Sequence, residues 1–271
     1  MHPELHFGSW SLPTYFLIIS IDFCLMLVWL RRRSRHRGLS VKLALDTAII
    51  GTLAGFVAAR LFHVFYEYPG FYLENPSYIF KLWEGGYVIL PGLFVGAMVC
   101  IWWLRFLKQP LGVWLDVFAP VLALGYSLGR WACFFQGCCY GRTTESILGV
   151  HLEVLQQQGE SFARYPTQIF ASVGEIFLFV GLMLLERGFH RKLVAGQLFA
   201  FWMLGHGTNR IIMELFRDDP RGPLLVGLGV SFWFALGFVF LGGFLGFTKS
   251  GRSWTLGTKS SDFPSIPDHK N

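Results

Sequence analysis

Long apolar runs separated by short clusters of charge set the pattern of this chain. Near-continuous apolar stretches cover roughly residues 13–30, 41–66, 87–107, the segment from just after Pro110 to about Gln136, then 167–186, 194–216 and 224–247. Several reach about 20 residues, the helical length that crosses about 30 Å of hydrocarbon. The pattern predicts an all-α integral membrane protein with about seven transmembrane helices. They would form one polytopic domain over residues 1–247. Residues 142–164, after the fourth run, are polar, with one amphipathic piece at 151–158, and predict a small extracytoplasmic head over about 142–165. From Thr248 the chain turns to Ser, Gly, Pro and charge, which predicts a disordered cytoplasmic tail over 248–271.

Charge orients these spans. The first ends at Arg31-Arg32-Arg33-Ser34-Arg35-His36-Arg37. The third leaves at Arg105 and Lys108, and the fifth at Arg187, Arg191 and Lys192. Basic loops stay in the cytoplasm, so the N-terminus is expected outside and the C-terminus inside. Met1 to Leu12 holds no Lys or Arg, so no cleavable signal is expected there. The outer segment from Tyr66 to Gly86 is rich in Tyr, Phe, Trp and Pro, side chains suited to the membrane interface.

Composition agrees: 53% of the 271 residues are hydrophobic and only 15% are charged. The net charge of +6 would suggest nucleic acid in a soluble chain. Here the cations cluster between apolar spans, where they fix topology and meet anionic lipid. No basic patch is interleaved with a nucleic-acid module, so no nucleic-acid partner is expected.

The exceptions inside the spans carry the candidate chemistry. Arg130 sits in the apolar stretch from Tyr126 to Gly141. A lone cation in hydrocarbon costs roughly 2.5–3.5 kcal/mol on the insertion scale, so it needs a partner. Asp116 lies on the same predicted helix, but about four turns or roughly 21 Å lower, too far to pair with it. On the sixth span His206, Arg210, Glu214 and Arg217 stand at i, i+4, i+8 and i+11, one helical face. Such a stripe faces a polar cavity or a protein partner rather than lipid. Arg130 and Arg210 near one leaflet would form a fork for a phosphate or carboxylate. The competing reading is structural, with Glu214 pairing Arg210 or Arg217 within its own helix. Gly85, Gly86, Pro91 and Gly92 flank the start of the third span. They allow either a broken helix end exposing N–H groups or plain close packing of small residues.

The five cysteines show no paired CxxC motif and no Cys/His spacing of a zinc site. Cys24 and Cys100 read as buried, inert thiols. Cys138 and Cys139 follow Gly137, with Cys133 five positions earlier. A bond between the two neighbours would be strained. Packing, a redox or resolving role, and a pairing with Cys133 through a turn at Gln136-Gly137 all remain open.

Several motifs in order resemble one family. Ala59-Arg60-Leu61-Phe62-His63-Val64-Phe65-Tyr66 precedes Trp83-Glu84-Gly85-Gly86. Asp116-Val117-Phe118-Ala119-Pro120 precedes Gly129-Arg130. Pro166-Thr167-Gln168 and the His206 to Arg217 stripe complete the set. In that order and spacing the chain resembles the prolipoprotein diacylglyceryl transferases, multi-pass enzymes of the bacterial inner membrane. The resemblance implies transfer of the diacylglyceryl group of phosphatidylglycerol to the lipobox cysteine thiol of a preprolipoprotein signal peptide, releasing glycerol 1-phosphate. It implies catalytic roles for Arg130, Arg210 and Glu214, while a catalytic role for His206 is an expectation of this sequence itself. It implies substrate contacts by Arg130, Arg210, Asp116, Gly85, Gly86, Gly92, Gly129, Gln168 and Arg217, with no metal and no cofactor. Phosphatidylglycerol, prolipoprotein signal peptides and the membrane are the implied partners.

The chain departs from the family pattern at informative places. Leu90-Pro91-Gly92 replaces a His-Gly-Gly whose histidine is a proposed base. Cys138 stands where the family has Glu, Cys133 and Gln136 stand where it has Asn, Tyr165 replaces a His and His206 a Tyr. His206 is therefore the candidate base. Two rival expectations follow from the departures: a non-catalytic or re-purposed paralogue that binds phospholipid or a lipoprotein precursor, and a transporter or thiol-redox protein using Cys133, Cys138 and Cys139.

Overall fold

Each apolar run between charge clusters folds as a helix, because a backbone within hydrocarbon has to satisfy its own hydrogen bonds. The computed structural model describes residues 4–7, 10–82, 85–152, 155–156, 159, 161–189, 193–218, 224–225 and 228–247. The expected tail over 248–271, Trp83-Glu84, residues 219–223 and parts of the 151–158 piece lie outside these residues. A short hairpin, β1 (Glu4–Phe7) and β2 (Trp10–Pro13), pairs Glu4 with Pro13 and Phe7 with Trp10. The long helices are α1 (Thr14–His36), α2 (Val41–Phe62), α4 (Ile89–Phe106), α5 (Leu111–Gln136), α6 (Thr167–Phe189), α7 (Gln197–Phe216) and α8 (Val230–Phe247). A one-turn helix, α3 (Pro69–Glu74), lies between α2 and α4. Strands β3 (Leu224–Leu225) and β4 (Leu228–Gly229) pair just before α8.

The seven long helices coincide with the seven expected spans, and the chain is an all-α membrane protein. Six of them, α1, α2 extended to Glu67, α4, α5, α6 and α8, are long and apolar enough to cross a membrane. The helix outside that group is α7. It is long enough, but Gln197, His206, Asn209, Arg210 and Glu214 lower its hydropathy. Among the described residues the chain forms two compact units: residues up to Leu30 with those from Gly112 onward, and Arg31–Leu111.

Within the second unit, α2 and α4 meet along a seam of small residues. A Cβ on Gly92 would sit 2.7 Å from the Gly55 carbonyl oxygen and 2.8 Å from the Ala59 Cβ. One on Gly96 would sit 2.7 Å from the Gly51 carbonyl oxygen. Small residues four apart let two helix backbones touch where lipid provides no hydrophobic drive. Beyond α2 the chain makes a π-helical turn (His63–Glu67), then α3 and a short 3₁₀ helix (Pro76–Phe80). The buried Arg60 holds this aromatic segment. Its guanidinium donates to the carbonyls of Tyr78 (2.5 Å), Gly86 (3.0 Å), Ile79 (3.3 Å), Lys81 (3.4 Å) and Gly85. The ring of Tyr72 lies 5.4 Å from the same guanidinium. The cation is thus satisfied by main-chain dipoles and a ring face.

In the first unit, α5, α6 and α7 share a core of Ala119, Ala123, Leu182, Leu198, Trp202 and Met203. Helices α7 and α8 approach backbone to backbone at Gly207 and Gly242, where an added Cβ would lie 2.7 Å from the Ala235 oxygen and 2.6 Å from the Ala200 oxygen. Between α5 and α6 the polar segment folds back by short bridges. Thr144 donates to Ala163 (2.8 Å), and Val150 and Arg164 exchange bonds at 2.9 and 3.0 Å. Its strand-like entry, Gly141 and Arg142, is tied to Tyr165 and Phe216.

Candidate active site

Arg130 lies near the C-terminal end of α5, largely buried. Its partner is one turn back: Nη2 donates to the Tyr126 hydroxyl, and the guanidinium stands 4.4 Å from the centre of that ring. Among the described residues no carboxylate lies within ion-pair distance of Arg130. Tyr126 supplies an acceptor and a negative ring face but no countercharge. The guanidinium therefore keeps a full positive charge and further N–H donors in a poorly solvated place. That arrangement suits an anionic ligand.

The same tyrosine joins Arg130 to the α7 stripe. The Tyr126 ring meets the His206 ring edge-on at 4.6 Å, and the Trp202 ring stacks on His206 at 5.2 Å. His206 Nδ1 is 2.7 Å from Glu175 Oε1 on α6. Asn209, one turn along α7, donates to the same oxygen at 3.1 Å and to the Ala171 carbonyl at 3.0 Å. Glu175 is fully buried, and its second oxygen has no hydrogen-bond partner among the described residues. A carboxylate behind an imidazole fixes its tautomer and orientation and leaves Nε2 as the accepting nitrogen.

Further along the stripe, Arg210 donates to Ser231 Oγ on α8 at 2.9 Å. It also lies 3.8 Å from the buried Glu214 carboxylate. The within-helix pairing of Glu214 with Arg210 is thus present, and Arg210 differs from Arg130 in being partly neutralised. Arg210 remains within electrostatic reach of Tyr126, Arg130 and Arg217. Arg217 closes α7 in an extended conformation and bridges to Gly141.

The thiols converge where α5 ends. Gly137, with φ +73°, turns the chain back so that the Cys138 N–H bonds the Cys133 carbonyl at 3.1 Å. Cys139 follows with φ +62°, a conformation that side chains other than glycine rarely adopt. Two α6 residues clamp the turn. Gln168 donates to the Cys138 carbonyl and Thr167 to the Cys139 carbonyl, both at 2.6 Å. The Sγ atoms of Cys133, Cys138 and Cys139 all lie within 4.8 Å of one another, and none is in a disulfide. The Cys139 thiol is held well below its ordinary pKa by hydrogen bonds from Cys133 and then Cys138, and by the Arg217 and Arg130 charges.

The other expected site residues have separate places. Asp116 accepts from the N–H groups of Gly196 (2.8 Å) and Phe199 (2.9 Å), capping the start of α7 far from Arg130. Gly129 faces α1, where an added Cβ would touch Asp22 at 3.6 Å. One oxygen of Asp22 is buried and without a hydrogen bond among the described residues. Gly85 and Gly86 accept from Arg60, and Gly92 packs in the α2–α4 seam, the structural alternative open for it from sequence. Tyr126, Glu175, Asn209 and Asp22 are polar neighbours of the expected site residues that motif reasoning missed. Glu175 was visible in outline, since Gln168, Ser172 and Glu175 follow i, i+4, i+7 on α6.

A helical membrane chain that sets a largely buried arginine, a histidine–carboxylate pair and a stripe of charge among apolar spans belongs to the polytopic membrane proteins with polar groups gathered inside their helices. The family model described as prolipoprotein diacylglyceryl transferase matches residues 4–248. The phosphatidylglycerol–prolipoprotein diacylglyceryl transferase of Cupriavidus metallidurans is 30% identical over 259 residues, covering 89% of this chain and 92% of its own. That of Polynucleobacter necessarius is 29% identical over 265 residues, 93% of this chain and 99% of its own. That of Clostridium tetani is 27% identical over 208 residues, 77% and 82%. The chain belongs to the prolipoprotein diacylglyceryl transferase family, a family of transferases in bacterial membranes.

Proposed function

We propose that this protein transfers the diacylglyceryl group of phosphatidylglycerol to the lipobox cysteine thiol of a prolipoprotein, releasing glycerol 1-phosphate. The observation that carries the reading is Arg130: a largely buried cation held by a tyrosine hydroxyl and ring face, adjoining the His206–Glu175 pair, in a chain of this family. The phosphate binds at Arg130, with Arg210 as a second, partly compensated cation, and the charge that grows on the departing phosphomonoester is stabilised there. His206, oriented by Glu175, receives the thiol proton through Nε2. The protein sits in the inner membrane with its N-terminus outside and its C-terminus in the cytoplasm, as the arginine-rich end of α1 favours.

The test is lipidation of a lipobox peptide in vesicles containing phosphatidylglycerol. The Arg130→Ala variant is expected to lose about 10²–10³-fold in rate, as for loss of a donor to a developing anion. Wild-type rates in both Arg130→Ala and Arg210→Ala would overturn the assignment. Leu90 and Cys138, at the family's His and Glu positions, favour a second reading, a paralogue that binds phospholipid or precursor without turnover. Binding of peptide or lipid by an inactive but well-inserted wild-type protein would establish that reading instead.

A further inference from the structure

We propose that Cys133, Cys138 and Cys139 form a three-thiolate site for a zinc ion, whose open fourth position takes the incoming substrate thiol. The second part rests on the transferase reading. The first part does not.

The geometry favours a metal over the other uses of these thiols. Three sulfurs each bound at about 2.3 Å in a tetrahedral array lie roughly 3.8 Å apart. The three Sγ atoms already share a space in which none is more than 4.8 Å from another, a gap that small side-chain rotations close. Convergence is built by the backbone: the turn at Gly137, the left-handed Cys139 and the carbonyl clamps from Thr167 and Gln168 hold all three on one side. A turn that merely ended a helix would need none of these. A disulfide would use two of the sulfurs and leave the third without a role. Thiolate-only donor sets select zinc and other soft ions over magnesium or calcium. Three protein ligands leave one coordination position open, the arrangement of catalytic rather than structural zinc. Arg130 and Arg217 lie within electrostatic reach of Cys139, so the site adjoins the cation that receives the phosphate.

The chemistry answers a need of this chain. Leu90 occupies the position of the family's proposed base, and the attacking group is itself a thiol. A thiol entering the fourth position binds as thiolate, because coordination removes its proton. The proton passes to His206 and ends on the released phosphomonoester. The thiolate sulfur attacks the glyceryl carbon that carries the phosphate. The new S–C bond forms as the C–O bond breaks, and glycerol 1-phosphate leaves with the bonding pair. The resulting thioether is a weak zinc ligand and departs. No oxidant or reductant is consumed.

The first measurement is the metal content of detergent-purified protein, by mass spectrometry after removal of loosely bound ions. About one zinc per chain is expected. Replacement with Co²⁺ is expected to give the sulfur-to-cobalt charge-transfer bands of a tetrahedral thiolate site. The Cys133→Ser/Cys138→Ser/Cys139→Ser variant is expected to lose both, whereas Cys24→Ser/Cys100→Ser keeps both. Sub-stoichiometric zinc, with cobalt uptake no greater than in the triple variant, would overturn the site. So would a thiol titration showing two of the three cysteines already oxidised. The second measurement adds a lipobox peptide to the Co²⁺ protein without phosphatidylglycerol, so that no turnover occurs. The cobalt bands are expected to shift with the cysteine peptide and not with its serine counterpart. Metal without that shift would overturn the role of the fourth position. Metal and shift in a protein that never lipidates the peptide would leave the site standing and remove the transferase reading.

Discussion

Replacing Tyr126 by Phe probes how Arg130 is held. The change deletes the hydroxyl that accepts from the guanidinium and keeps the ring 4.4 Å away. A hydrogen bond to a charged group contributes about 1.5–3 kcal/mol. At about 1.36 kcal/mol per decade, its loss corresponds to roughly 10- to 150-fold in rate. Two structural details favour the lower end. The retained ring face still stabilises the cation by about 0.5–1 kcal/mol, and the edge-on packing of Tyr126 against His206 survives the change. The expected result is a loss of about 10- to 40-fold in kcat/KM for phosphatidylglycerol, from the lower part of that range. The assay is peptide lipidation in vesicles of graded phosphatidylglycerol content. A double-mutant cycle completes it, since in an Arg130→Ala background there is no guanidinium to hold and Tyr126→Phe should cost almost nothing further. An unchanged kcat/KM in the single variant would refute the reasoning. A loss of equal size in both backgrounds would do the same.

Two further outcomes follow from the geometry. Glu175→Gln keeps the shape but removes the charge behind His206; it is expected to lower kcat by about 10²-fold or more if His206 moves the thiol proton, with protein yield and melting in detergent as controls, and an undiminished kcat would remove His206 from the chemistry. Gly86→Ala places a methyl 2.6 Å from the His63 ring and 2.7 Å from Arg60 Nη1 at φ +81°; the left-handed conformation alone costs about 1–2 kcal/mol, so the midpoint of thermal unfolding in micelles should fall by several degrees, and an unaltered midpoint would show that the Arg60 clamp is not needed.

The spans were legible because hydropathy is a one-dimensional signal: each long helix begins and ends within about six residues of an apolar run. The α7 stripe was legible too, since His206, Arg210 and Glu214 share a face by helical arithmetic alone. What the stripe meets was not. Glu175 is a single acidic residue within an apolar run, and its pairing with His206 depends on how α6 packs on α7. The partners of Arg60 are carbonyl oxygens of an irregular segment, and these leave no mark on side-chain pattern. Asp116 looked like a site carboxylate by motif, yet both its oxygens serve the first turn of α7. The three thiols illustrate the middle case. The turn at Gly137 was readable, but the clamps that gather the sulfurs come from α6, some thirty residues on.

The seam between α2 and α4 has a consequence for how this chain can vary. Where helices pack through side chains, a bulky residue on one can be offset by a smaller one on the other. Here main chain lies against main chain at Gly55, Gly92 and Gly96, and little or no side-chain volume stands there to be given back. Drift in sequence is therefore open on the lipid-facing sides of this pair and closed along its inner edge. The two helices behave as a single strut of fixed thickness, whatever oil surrounds them.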